Sequence, residues 1–305
     1  MGHQVLQPRS PTACGRVQLR RPSTDQEPAG TYLSKAEVLL ANVEQQGANI
    51  PPSKTYGDKY TNQVVVVTGS AHGIGHATAA LFANQGANVV LVDLDEQQLK
   101  NVEANFESEG KNVTYRVANL ASEEQVNSMI NEVVSSLGRI DILIHIAGIY
   151  PFCPLLEQTT QEYKKVMTVN MDSCFYLTRA VLPHMQKAGY GRIINTASGT
   201  ASHPEPGLAV YAASKSAIVA FTRATAAEAG PGVTANVVSP GLVMTETTWS
   251  SPHAKPIFDK AMEKQCVKRY GQARDIAHMI NFIASPEAEF VTGQLLHVSG
   301  GMIFN

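Results

Sequence analysis

From Gln63 onward, short β-branched runs alternate with longer amphipathic stretches. VVVV at 64–67 is apolar at every position, as a strand covered by helices on both faces should be. Further strands are predicted at 88–92, 113–118, 140–146, 191–195, 233–238 and 295–298. Apolar residues at helical spacing fill the gaps, near 75–85, 95–108, 122–136, 159–187, 208–228 and 272–284. Strands alternating with helices imply βαβ units. The expected fold class is therefore α/β, a doubly wound, mostly parallel seven-stranded sheet with helices on both faces. No internal repeat is visible, and a single domain is expected over 62–305.

The first 61 residues do not share this pattern. Residues 1–30 are rich in Pro, Ser, Thr and Gln, carry Arg9, Arg16, Arg20 and Arg21, and have no acid before Asp25. Such a composition fits a disordered tail or a mitochondrial transit peptide. Pro8, Pro11 and Pro22 interrupt any amphipathic helix, so the tail is the preferred reading and a cytoplasmic protein the expectation. A short helix is predicted at 34–46, with Ser34 and Glu37 in a capping-box pattern and Gly47 as its stop. Pro51 and Pro52 end this arm.

The chain has 305 residues, 44% of them hydrophobic, enough for one large core. Its formal net charge of −2 provides no basic field for nucleic acid. No apolar run approaches the roughly 20 residues of a membrane span. Cys14, Cys153, Cys174 and Cys266 are scattered, without metal-like spacing, so free thiols and no metal are expected.

Two segments carry chemistry. In VVVVTGSAHGIGHATA, Gly69, Gly73 and Gly75 stand between a predicted strand and a predicted helix. Glycine lets the backbone turn sharply and approach a pyrophosphate, while the helix N-terminus offers N–H groups to the anion. Asp93 closes the next strand, where a carboxylate can accept both ribose hydroxyls of an adenosine and repel a 2′-phosphate. No Arg or Lys adjoins it, which favours NAD over NADP; His72 in the glycine loop is a basic group that could argue the other way. Further on, Tyr211 and Lys215 in YAASK lie four apart, on one face of a helix, with Ser198 upstream. The ammonium is expected to lower the tyrosine pKa, letting the phenol give or take a proton as a carbonyl and an alcohol interconvert.

TGSAHGIG, Asp93, IAG, Asn170, Ser198 and YAASK, in this order, resemble the short-chain dehydrogenase/reductase family in its compact single-domain branch. The resemblance covers 63–305 and extends to GRIINTAS, to SPG at 239–241 with Thr245 behind it, and to VTGQLLHVSGG. It implies a Rossmann-like fold and a tetrad of Asn170, Ser198, Tyr211 and Lys215. Tyr211 would be the general acid/base. Lys215 would lower its pKa and bind the nicotinamide ribose. Ser198 would orient the substrate oxygen, and Asn170 would hold a water that continues the relay. The resemblance also implies a dinucleotide site drawn from Gly69, Ala71, His72, Gly73, Ile74, Asp93, Leu94, Asn119, Leu120, Ala147, Gly148, Tyr211, Lys215, Pro240, Gly241, Val243 and Thr245. NAD is the expected cofactor and NADP the alternative.

Two positions depart from the family's pattern. His145-Ile146 replaces the usual pair of asparagines before Ala147-Gly148, and Asn119-Leu120 stands where an aspartate is commoner. His145 is expected to point inward with its ring hydrogen-bonded. The substrate region should lie at the carboxyl ends of the strands. Its candidates are 149–155, 199–208 and 242–268, the last long enough for a helical lid. Tyr150, Phe152, Met244 and Trp249 would line it, with His203 and Glu205 as polar contacts, or these side chains simply pack among themselves. The expected substrate is a medium-sized, mostly apolar ketone or secondary alcohol, cyclic, aromatic or polyketide-like. The competing reading is a non-redox member that uses the pocket for binding, dehydration or cyclisation. The resemblance further implies a homotetramer or homodimer, built on helices 159–187 and 208–228 and the C-terminal segment.

Overall fold

A computed structural model of the protein describes residues 57–250 and 254–304. The tail at 1–30, the helix at 34–46 and the break at Pro51-Pro52 lie outside the described residues.

Seven strands form the main sheet: β1 (Val64–Thr68), β2 (Asn88–Asp93), β3 (Val113–Val117), β4 (Ile142–His145), β5 (Gly191–Thr196), β6 (Val233–Pro240) and β9 (Leu295–Val298). Their order is β3-β2-β1-β4-β5-β6-β9, and every neighbouring pair is parallel. β7 (Val243–Met244) and β8 (Gly271–Gln272) make a small parallel pair apart from it. The order reverses between β1 and β4, so a crevice opens beyond their carboxyl ends.

Helices cover both faces. On one side lie α1 (Gly73–Ala83), α2 (Glu96–Ser108) and α9 (Ala273–Ile283), whose Phe82, Leu99, Phe106, Ile276 and Ile280 close over Val65 and Val67 of β1. On the other, α3 (Glu123–Leu137) and α5 (Ser173–Ala188) bring Val126, Ile130, Leu177 and Val181 onto Val64 and Val66. Alternate residues of β1 thus feed two cores, which is why its sequence shows no polar phase. Each such valine, buried to 2% exposure or less, stabilises the fold by about 1.5–3 kcal/mol.

The run at 159–187 is not one helix. α4 (Thr160–Met167) passes into a π turn at Thr168–Asp172 before α5 resumes. The buried residue of the turn is the polar Asn170, with Val166 before it and Cys174 and Leu177 after it. α6 (Ala209–Glu228) carries YAASK on its first turns. The segment 242–268 does form helices, α7 (Glu246–Trp249) and α8 (Ala254–Lys264), and Thr245 at the start of α7 reaches Gly73 in the loop after β1. No helix of the described residues is long and apolar enough to cross a membrane.

Candidate active site

The crevice is walled on one side by the glycine loop. Gly69 turns at φ +68° just beyond β1, and its N–H donates to the Val92 carbonyl at 2.8 Å. A Cβ on Gly75 would lie 1.9 Å from the Gly69 oxygen, and one on Gly69 would lie 3.0 Å from the Ala147 backbone. These glycines therefore let β1, the loop, α1 and the Ala147-Gly148 segment close on one another. α1 begins at Gly73 with no side-chain cap and no acid in its first turn. Its first N–H groups are left for an anion. Thr245, which caps α7, reaches this loop as well, its Cγ2 3.1 Å from where a Gly73 Cβ would stand.

Asp93 sits at the loop's flank. Its Oδ2 accepts from the Ala71 N–H at 3.1 Å and its Oδ1 from the Leu94 N–H at 2.7 Å. Oδ1 also accepts from the Asp95 N–H at 3.3 Å, so the carboxylate is oriented by three backbone donors, with Oδ2 left to accept from a hydroxyl. Leu94 beside it is 66% exposed. His72 is turned to a second carboxylate, with Nε2 3.5 Å from Asp95 Oδ2. Asn119 uses its Oδ1 to accept from the Ala121 N–H at 3.1 Å, while Leu120 is buried beneath it. On the far side, Gly241 donates to the Val298 carbonyl at 2.9 Å and packs on Ser299, continuing from Pro240 at the end of β6. Val243 is buried; Ile74 is packed at the edge of the core. Uncapped helix N–H groups, a glycine cradle and an oriented carboxylate fit a dinucleotide.

Tyr211, Ser198, Lys215 and Asn170 converge from three elements. Ser198 leaves β5 and caps a short 3-10 turn at Gly199–Ala201, its Oγ accepting from the Thr200 N–H at 3.3 Å. Tyr211 lies on α6 with its phenol near the Ser198 hydroxyl, which favours the ionised phenol. One turn on, Lys215 is 4% exposed, and its Nζ donates to the Thr196 carbonyl at 2.8 Å. That Nζ is 5.9 Å from the Tyr211 ring centre. Asn170, fully buried in the π turn, accepts from the Ile149 N–H at 2.8 Å. It donates to the Ile149 carbonyl at 2.9 Å and to Ser214 Oγ at 3.0 Å. A Cβ at Gly148 would stand 3.0 Å from Asn170 Oδ1 and 3.4 Å from Lys215 Nζ, so both groups meet at this glycine.

One expectation needs correction. Burial raises the Tyr211 phenol above its ordinary value, and the Ser198 hydrogen bond offsets only part of this. The ammonium is engaged with a carbonyl and is itself pushed down to about 8 by burial. Proximity on a helix face says nothing of desolvation, which is the largest influence on both groups here. The Asn170 side-chain amide is committed to protein partners, with both of its N–H groups spent. Its place beside Lys215 follows from the π turn, which local spacing does not reveal.

Of the expected substrate residues, Tyr150 meets the site directly. Its ring stands edge-on to Tyr211, with centres 6.1 Å apart, and it is 47% exposed. Phe152 lies across Gly207, its Cε2 2.3 Å from where a Cβ would be. Trp249 instead packs with Phe258 and Tyr270 at 5.4 and 5.8 Å, in an aromatic cluster of its own. His203 and Glu205 are exposed on the loop after the 3-10 turn, and Met244 is half-buried in β7. Residues not singled out from sequence are Ser214, which holds Asn170, and Thr196, whose carbonyl holds Lys215. Ser214 stands inside YAASK itself, and its position one residue before Lys215 was the available signal.

Known proteins resemble this chain over most of its length. Residues 69–303 match a family model described as enoyl-(acyl carrier protein) reductase. The chain is similar to the 3-oxoacyl-(acyl-carrier-protein) reductase FabG of Thermotoga maritima, 33% identical over 242 residues, covering 79% of this chain and 98% of that protein. It is similar to the meso-2,3-butanediol dehydrogenase of Serratia marcescens, 34% identical over 244 residues, covering 80% and 95%. Its fold is similar to the crystal structure of a short-chain dehydrogenase/reductase from Brucella melitensis, titled glucose/ribitol dehydrogenase. The TM-score is 0.76 and the identity 33%, over 82% of this chain and all of that one. The fold and site thus define a Rossmann-type nicotinamide oxidoreductase. The chain belongs to the short-chain dehydrogenase/reductase family, and to its alcohol–ketone oxidoreductases.

Proposed function

We propose that this protein interconverts a secondary alcohol and a ketone, on a medium-sized, mostly apolar substrate, with NAD(H) as its cofactor. The observation that carries this is the convergence of Tyr211, Ser198 and Lys215 beside a loop shaped for a pyrophosphate. The nicotinamide, when bound, supplies or takes up the hydride. The glycine loop and the α1 N-terminus hold the pyrophosphate, and Asp93 the adenosine ribose. Ser198 donates to the substrate oxygen and fixes its distance from Tyr211. In the reducing direction the Tyr211 O–H gives its proton to that oxygen as the carbon accepts hydride. In the oxidising direction the proton returns. Lys215 supplies positive charge behind the phenol and a donor for the nicotinamide ribose, while Asn170 keeps the Ile149 backbone in place beside it. Tyr150, half-exposed against Tyr211, supports an apolar substrate.

The preference for NAD rests on Asp93, with exposed Leu94 where a phosphate-binding residue would stand and with His72 turned to Asp95. NADH is expected to bind at least about tenfold tighter than NADPH, a difference of about 1.4 kcal/mol. Asp93→Ala combined with Leu94→Arg should reverse the order. Calorimetric titration with both dinucleotides checks this; tighter NADPH binding by the wild type sinks the reading. The substrate test is a screen of cyclic, aromatic and 3-oxoacyl carbonyl compounds, followed at the NADH absorbance band. No turnover with either cofactor in either direction would reject the redox function.

The pH profile follows from the same groups. Below about pH 8 Lys215 keeps its charge, and the raised Tyr211 keeps its proton. Reduction, read as kcat/KM, should be level at neutral pH and fall as Lys215 deprotonates above about 8. A profile that instead rises from pH 7 to 9 would contradict these protonation states.

Helices α5 and α6 also present Phe175 and Phe221, ring centres 6.1 Å apart, with Phe175 37% exposed. This supports assembly into a homotetramer or homodimer through these helices.

A further inference from the structure

His145 stands where the family's pattern has an amide, and it is buried to 1% exposure at the end of β4. Its Nδ1 lies 2.9 Å from Thr68 Oγ1, at the end of β1. Its Nε2 lies 3.0 Å from Ser173 Oγ, at the first residue after the π turn. The neighbours of those two hydroxyls determine how the ring is protonated. Thr68 Oγ1 already accepts from the Ile146 and Ala147 N–H groups, at 3.1 and 3.3 Å. Both its lone pairs are taken, so its proton must go to Nδ1. Ser173 has a single O–H, which the Val169 carbonyl takes at 2.6 Å. Ser173 can then only accept from the ring, so Nε2 must carry the hydrogen. The other tautomer would strip Val169 of its donor and ask Thr68 to accept a third time.

We propose that neutral, Nε2-protonated His145 is a positioning residue, a brace that ties the ends of β1 and β4 to the π turn and so holds Asn170 against Ile149 beside Lys215. The inference rests on the proposed redox function only for its kinetic part. The π turn needs such a brace: the Ser173 N–H reaches back to the Thr168 carbonyl, leaving Val169 to the Ser173 hydroxyl. Without the ring, Ser173 Oγ loses the donor that aligns it, and the turn is left to hold Asn170 through its bonds to Ile149 and Ser214 alone. Protonation of the ring would place a second N–H against the saturated Thr68 oxygen, next to the Lys215 charge. In agreement, burial and then Lys215 depress the ring to about 3, against a smaller lift from the Asn170 carbonyl.

The test has two readouts that need no turnover. In histidine-labelled wild type, with His145 assigned by its loss in His145→Asn, nitrogen–proton correlation spectra should show an Nε2–H tautomer that does not titrate from pH 7.5 to 5. In Ser173→Ala and His145→Phe, amide exchange at Ile149 should quicken at least about tenfold, while β2 amides keep their protection. Kinetically, both variants should lower kcat by about tenfold with the KM for NADH little changed, and His145→Asn should recover part of it. An Nδ1–H tautomer, titration near pH 6, or unchanged Ile149 exchange in Ser173→Ala would each overturn the proposal. If His145→Phe does not fold, the wild-type spectra and Ser173→Ala still decide. If the wild type turns over no substrate, the functional reading fails while the tautomer and exchange results stand.

Discussion

Tyr211→Phe is expected to lower turnover by about 10²–10⁴-fold, the usual contribution of a positioned acid/base group. The substitution removes one oxygen and keeps the ring. The edge-on contact with Tyr150 at 6.1 Å survives, so stability should change by less than about 1 kcal/mol. The phenol is not used to hold the cofactor loop, so affinity for NADH should stay within about threefold. The loss should therefore fall on kcat, since a proton transferred only in the transition state contributes nothing to ground-state binding. Because burial holds the phenol protonated, the defect in carbonyl reduction should be undiminished across neutral pH. Steady-state kinetics with calorimetric binding checks both halves. Retention of more than a tenth of wild-type turnover would show that the proton comes from elsewhere.

The second large effect is expected at Gly75, and through sterics alone. A Cβ there would stand 1.9 Å from the Gly69 oxygen, 2.5 Å from its carbonyl carbon and 3.0 Å from Ser70 Cα. All three are backbone atoms, and Gly69 is itself held by its bond to the Val92 carbonyl. Nothing flexible can give way, so Gly75→Val must push α1 from the loop or open the loop from β1. Overpacking of this kind costs about 1–3 kcal/mol or more. For a domain of this size the melting temperature should fall by about 5–10 °C. Displacing the α1 N-terminus also removes the anion cradle, and dinucleotide binding should be undetectable. Gly57→Ala, where an added Cβ meets nothing within 4 Å, is the control and should melt and bind like wild type. Measurable NADH binding by Gly75→Val would mean that the loop is not the pyrophosphate site.

Tyr211 and Gly75 were both visible in the sequence, for different reasons. A glycine between a strand and a helix advertises a close backbone approach, and i, i+4 spacing places Tyr211 beside Lys215. Asn170 was visible only as a letter in a family pattern. The pattern of 159–187 predicts one continuous helix, because the π turn TVNMD contains no Gly or Pro to mark the break. Trp249 illustrates the same limit from the other side. An aromatic in a lid segment suits a substrate wall or an internal cluster equally well, and its contacts with Phe258 and Tyr270 put it in the cluster.

By itself, the sequence determined the α/β class, the sheet's strands and the glycine loop between β1 and α1. Those features rest on local periodicity and on residue types that few other roles require. The tertiary structure alone decided the protonation preferences and the partners. Desolvation raises Tyr211 and lowers Lys215 because strands and helices distant in sequence bury them. His145 is neutral because Thr68 and Ser173, far from it along the chain, leave its ring only one consistent set of hydrogen bonds. Charge and spacing are written along a chain, but burial and hydrogen-bond saturation exist only once distant segments are packed together.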